Sequence, residues 1–172
     1  MYTEGKLFAS GQCTEHFTWE ELTRSGTAVR RNIPNLPDAS ARDCLEKLCR
    51  DYLEPLRQHR GRPVMLNSAY RCPQLNAAVG GAPHSWHLKG CAVDIGCRSL
   101  AEALDTQRFF RSLLRERCYD ECYVKAGHCS YYVHLGVDLL EGRNRIRDNS
   151  VLLRNMGLVS KNHETTKPRN HV

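Results

Sequence analysis

The sequence has no apolar run approaching the ~18 to 20 residues that a membrane-spanning helix needs, so its 172 residues are expected to work in water. The opening Met1-Tyr2-Thr3-Glu4-Gly5-Lys6 lacks the basic-then-apolar layout of a secretory leader. The chain is therefore expected to be made and left in the cytoplasm, and a target outside the cell would require release or delivery. Nor is charge of one sign gathered into a block. Twenty-five lysines and arginines against 19 acids give a net charge of +6, but the basic residues are scattered. Without basic and aromatic residues interleaved, or a nucleic-acid motif, no nucleic-acid partner is expected. The positive excess would suit an anionic polymer and is equally an ordinary solubility feature.

The length favours a single domain able to bury a core without disulfide support. Cysteine is abundant, with nine residues. Without an export signal, an odd count reads as reduced thiols acting as small core residues rather than as a disulfide framework. Cys118, Cys122 and Cys129 lie near His128, but two of them fall on the core-facing side of a strand-like run, which argues against a second metal site. Cys72, Cys91 and Cys97 could bridge if oxidised.

In chain order, residues 1–16 are polar and irregular, expected as a loosely held arm. Thr18 and Glu21 form a capping box at a helix start, with Phe17 and Leu22 as a hydrophobic staple. From about Ser40 to Arg57, Leu45, Leu48, Cys49, Tyr52, Leu53 and Leu56 recur at three- and four-residue steps, a helix whose last turn Pro55 should perturb or end. Val64 to Ser68 reads as a strand that delivers Arg71 to its end. Asn76 opens a short helical segment that Gly80-Gly81 closes. Ser99 and Glu102 make another capping box, before a helix to about Glu116 that buries Ala103, Leu104, Phe110, Leu113 and Leu114. From residue 157 onward the composition suggests a disordered tail.

The most informative stretch is Ser85-Trp86-His87-Leu88-Lys89-Gly90-Cys91-Ala92-Val93-Asp94. Residues 91–95 read as a short buried strand, with Ala92 and Asp94 on one face and Val93 and Ile95 toward the core. His87 sits in the loop feeding that strand, and Gly90 lets the backbone turn tightly enough to bring the imidazole over Asp94. A hydrolytic zinc ion takes three ligands from His, Asp or Glu and leaves a fourth position to water; this pair supplies two.

The third comes from a hairpin. Residues 119–126 and 131–137 read as strands joined by Gly127-His128-Cys129-Ser130. With that turn, residue 126 faces 131, Tyr123 faces His134 and Lys125 faces Tyr132. Cross-strand partners share a face, so Glu121, Tyr123, Lys125, Tyr132 and His134 look one way while Cys122, Val124 and Val133 line the core. His134 is the expected third ligand and His128, in the turn, the runner-up.

The pattern S-x-H-x-x-G-x-A-x-D, with Ser68-Ala69-Tyr70-Arg71, Asn76, Val79-Gly80-Gly81-Ala82, Tyr119-Asp120-Glu121 and Tyr132-Val133-His134, resembles the zinc D-alanyl-D-alanine carboxypeptidases and endopeptidases that cut peptidoglycan stem peptides. It is most similar to the small phage and bacterial members that consist of the catalytic domain alone. The likeness runs from about Phe17 to about Arg145. It implies one zinc ion on His87, Asp94 and His134. It also implies substrate contact by Arg71, whose planar guanidinium suits a carboxylate, and by Ser85, whose hydroxyl either bonds substrate or orients its loop. Leu139 to Arg147, with basic Arg143, Arg145 and Arg147, continues the likeness.

One departure matters. Such peptidases use an acid near the last histidine as general base. Some relatives place it three residues earlier, where this chain has Tyr131; the small phage type places it at the end of the first hairpin strand, where this chain has Lys125. A protonated lysine cannot take that proton. Three alternatives stay open: burial and the metal lower the lysine's pKa, Glu121 substitutes, or the protein is not an efficient hydrolase. Glu121 lies roughly 13 Å from Lys125 at ~3.3 Å per residue. The expectation is an α+β domain over residues 17–156, an antiparallel sheet flanked by helices with a single zinc site on the sheet. It would act as a monomeric peptidase on peptidoglycan peptides, virion-associated if phage-encoded. The competing expectation is a non-catalytic metal-binding module that grips cell wall or a partner.

Overall fold

The computed structural model describes residues 11–113, 121–126, 130–139 and, for backbone alone, 147–148. Of the stretch expected as a loose arm, residues 11–16 are packed in place. Cys13 and Thr14 are buried, Gln12 bridges Thr18, and the Thr14 hydroxyl donates to Glu54 at 2.7 Å. Apolar burial and a carboxylate partner outweigh the polar composition that suggested an arm.

Helix α1 (Trp19–Thr23) starts at the expected capping box. Thr18 Oγ1 accepts the Glu21 N–H at 3.1 Å and Glu21 accepts the Thr18 N–H at 2.9 Å. Helix α2 (Gly26–Arg30) follows. Helix α3 (Ala39–Leu48), capped by Asp38, a π-helical turn (Cys49–Leu53) and α4 (Glu54–Arg60) then run on without a break. Of the two outcomes expected at Pro55, a perturbed turn or an end, the helix shows the first. Proline has no N–H and crowds the carbonyl four residues back, and the chain absorbs this by widening one turn, with the Glu54 N–H bonding Cys49 O five residues back. The helix therefore reaches Gly61, whose left-handed backbone (φ 61°) ends it. Leu45, Leu48, Cys49, Leu53 and Leu56 are fully buried along this rod.

The sheet contains β1 (Leu66–Ser68), β2 (Ala92–Cys97), β3 (Glu121–Ala126), β4 (Tyr131–Gly136) and β5 (Arg147–Asp148), in the order β1-β2-β4-β3-β5. Pairs β1·β2, β2·β4 and β3·β4 are antiparallel, and the two-residue β5 joins the edge in parallel. The hairpin register is the one the turn length implies, with Ala126 opposite Tyr131, Lys125 opposite Tyr132 and Tyr123 opposite His134. Val93, Ile95, Cys122, Val124 and Val133 face the core.

Helix α5 (Pro73–Ala78) is capped by Cys72, so Asn76 lies within it rather than opening it. Buried Asn76 donates to Ala82 O at 2.9 Å and accepts the Gly81 N–H on its own backbone oxygen at 2.8 Å. A side chain at Gly81 would collide with it, because a Cβ there would lie 2.1 Å from Asn76 Oδ1.

Helix α6 (Leu100–Leu113) packs on β2, β3 and β4. Its start is half of the expected capping box. Ser99 Oγ accepts the Glu102 N–H, but the Glu102 carboxylate takes the Arg98 N–H and pairs with Arg60, Arg62 and Arg98. Three guanidinium groups outcompete one backbone amide. Ala103 and Phe110 are buried as expected, Leu104 and Leu113 partly so, and Thr106 and Gln107 join them. Leu114 to Glu116, Cys118 to Asp120, the turn carrying His128 and Cys129, residues 140–146 with Arg143 and Arg145, and the tail from 157 lie outside the described residues. The seven described cysteines are free and buried, Cys72, Cys91 and Cys97 included. No helix among the described residues is long and apolar enough to cross a membrane.

Candidate metal centre

His87 is placed by a short 3-10 helix (Trp86–Lys89). Ser85 caps it, its hydroxyl accepting the His87 N–H at 3.4 Å. Gly90 closes the helix at φ 70°, and a Cβ there would stand 2.4 Å from the Ala41 carbonyl oxygen on α3. Only glycine meets both demands, a left-handed turn and contact with a helix backbone. The loop's other side is pinned by Arg71, whose N–H donates to His87 O at 3.1 Å. Residues 70–72 are held in turn. The Tyr70 N–H donates to Leu22 O, and buried Asn35 donates to Thr23 O and Tyr70 O while accepting the Cys72 N–H at 2.7 Å.

Asp94 and His134 come from adjacent central strands, directly opposite one another. His134 Nδ1 is 2.8 Å from Asp94 Oδ1. His87 Nε2 is 3.3 Å from Asp94 Oδ2, and the two imidazole centroids are 5.1 Å apart. One ligand atom from each of the three residues lies within 4.8 Å of the others.

The protonation of this cluster follows from its surroundings. His87 is fully buried, and burial lowers its pKa, with the charges of Arg71 and His134 pushing the same way against Asp94. His87 Nδ1 is 2.5 Å from the Ala69 carbonyl oxygen. A carbonyl only accepts, so Nδ1 carries the proton and Nε2 a lone pair. That lone pair is buried without a hydrogen-bond partner and faces a carboxylate. Burial would raise the Asp94 pKa, but the hydrogen bond from His134 above all holds it well below the usual carboxylate range. His134 goes the other way: burial would lower it, but Asp94 and Glu121 together raise it.

An unpartnered nitrogen lone pair facing an anionic oxygen is unfavourable unless a cation lies between them. The donor set, two imidazoles and a carboxylate, suits zinc with a position left open. His87 also has the outer-shell carbonyl partner that ligating histidines carry.

Around this core, Glu121 Oε2 is 3.3 Å from His134 Nε2, and Tyr123 stacks on the His134 ring with centroids 6.1 Å apart. Arg71 is half-buried, its Nε lacking a hydrogen-bond partner, and its charge reaches Asp94 and Tyr132. Lys125 is exposed, its Nζ 5.8 Å from the Tyr132 ring. The burial that one alternative required of it is absent.

The sequence reading missed three contributors. Ala69 acts through its carbonyl, which no side-chain pattern announces. Asn35 acts from a proline-flanked loop remote in sequence. Gly136, the last residue of β4, did leave a signal, since a strand glycine often marks a close approach. A family model described as Peptidase M15 matches residues 15–135 of the chain. No curated protein matches it.

Proposed function

The chain belongs to the peptidase M15 family, and from that premise we propose that it is a zinc-dependent peptidase hydrolysing a peptide bond in peptidoglycan stem peptides or cross-bridges. The observation that carries the reading is the bare Nε2 of buried His87, converging with Asp94 and His134 within 4.8 Å. His87 through Nε2, Asp94 through its carboxylate and His134 through Nδ1 would hold the ion. When bound, zinc would polarise the scissile carbonyl and make water a nucleophile near neutral pH. Arg71 offers a guanidinium fork to a substrate carboxylate, and its unpartnered Nε is a donor in want of an acceptor. Ser85 holds the loop that carries His87 through its bond to the His87 N–H.

A second reading, a metal-binding module without turnover, is favoured by a specific observation. The family's acid position carries exposed Lys125, and Glu121 contacts the His134 nitrogen across the ring from Asp94. The two readings part in one experiment. The peptidase retains one zinc per chain and releases amino acids or cleaves cross-bridges from purified cell wall, and His134→Ala loses both. Zinc retained with no cleavage at any pH or with any divalent metal would leave the binding module.

A further inference from the structure

We propose that Glu121 is a positioning residue of the metal centre. Its carboxylate accepts the Nε2–H of His134 and fixes that ring with the Nδ1 lone pair turned toward the ion. The inference rests on the reading that His87, Asp94 and His134 hold a metal.

The geometry begins with the ladder. Glu121 pairs with Gly136 and Tyr123 with His134, so Glu121 is the diagonal neighbour of His134 on one face of the sheet. Diagonal Cβ atoms are roughly 7–8 Å apart, within reach of a glutamate, and Oε2 closes to 3.3 Å from Nε2. Gly136 makes the approach feasible. A Cβ there would lie 3.2 Å from Trp86 Cδ1, 3.4 Å from Glu121 Cβ and 3.5 Å from His134 Nε2. The missing side chain is the space in which carboxylate, indole and imidazole meet.

The His134 ring is thereby held by Asp94 at Nδ1, by Glu121 at Nε2 and by Tyr123 on its face. The nitrogens of an imidazole point to opposite sides of the ring, so a carboxylate bonded to Nε2 lies across the ring from whatever Nδ1 holds. Glu121 is thus placed to orient the ligand and raise its basicity, the outer-shell role of a carboxylate on a ligating histidine. It is not placed to take a proton from a water at the ion.

The test uses the full chain, stripped of metal and titrated with Co²⁺, with zinc affinity measured by competition. Glu121→Ala should weaken both ions about 10- to 100-fold, with little change in the melting temperature of the metal-free protein. Glu121→Gln keeps an acceptor oxygen and should stay within roughly threefold while shifting the visible cobalt bands, because an amide withdraws less proton density from His134 than a carboxylate. Unshifted bands in Glu121→Gln, or wild-type affinity in a folded Glu121→Ala, would overturn the proposal. If those same variants lose cleavage while binding metal as tightly as wild type, Glu121 is the proton acceptor instead. A wild-type chain that binds neither ion would overturn the peptidase reading along with this one; tight wild-type binding unaffected by Glu121 removes this inference alone.

Discussion

The Ala69 carbonyl oxygen sits 2.5 Å from Nδ1 of His87, and this one acceptor decides which face of a buried imidazole is left bare. The ring cannot satisfy Nε2 by turning over without abandoning Ala69. The lone pair against Asp94 is therefore a standing cost in the metal-free protein that a cation relieves.

Zinc should accordingly stabilise the fold. At about 100 times its Kd a ligand specific for the native state contributes about 2.7 kcal/mol, which for a domain of this size raises the melting temperature by roughly 5–10 °C. Calorimetry before and after chelation reads this directly. A chelator-insensitive melting temperature would contradict the metal assignment.

Gly90→Ala should be costly twice. Its backbone is left-handed, and the added Cβ would meet the Ala41 carbonyl at 2.4 Å, so we expect a loss of about 1–3 kcal/mol. Relief would come by moving the loop that carries His87. Urea unfolding should show the destabilisation, and the variant's zinc affinity should fall even where it remains folded.

The acid limb of stability should carry the signature of Glu102. Burial would raise its pKa, but the Arg62 hydrogen bond, the Arg98 N–H and the Arg60 charge outweigh it and lower it. A carboxylate depressed in the native state contributes stability that is present above its unfolded pKa, ordinarily about 4.3. That stability is lost as pH falls through the lower folded value. Glu102→Gln should thus be less stable at neutral pH and lose less on acidification below pH ~4 than wild type. Parallel melting-temperature profiles for the two proteins would refute this.

Lys125→Glu bears on turnover. It places a carboxylate on the face that carries Tyr123, Tyr132 and His134, at the position where the sequence resemblance leads one to expect the general base. If proton transfer limits the wild type, cleavage of muropeptides should rise by about 10²-fold or more, the usual contribution of a general base. Zinc affinity should change far less than turnover, because Lys125 is exposed and solvent screens the charge it directs at His134.

Much of this was legible in the sequence because strands leave few choices. Once the turn between β3 and β4 is taken as four residues, alternation alone puts Tyr123 opposite His134 and sends Cys122, Val124 and Val133 inward, as observed. The capping box at Thr18 is equally local. What could not be read depends on backbone groups or on reach. The π-helical turn ahead of Pro55 is a choice between breaking and widening a helix, and buried Leu53 and Leu56 on either side decide it. The Glu102 carboxylate leaves its capping role because arginines remote in sequence arrive beside it. Alternation along its own strand relates Glu121 to Lys125, whereas its contact is diagonal, across the ladder to His134.

The strand order has a bearing on how the centre behaves when empty. Asp94 and His134 occupy β2 and β4, adjacent interior strands that are each paired on both sides, and interior strands are the last to fray. Two of the three donors are therefore preorganised by the sheet for a cation. Loading should need little rearrangement, because the loop that brings the remaining imidazole is itself held by the Arg71 N–H and by Gly90 against Ala41.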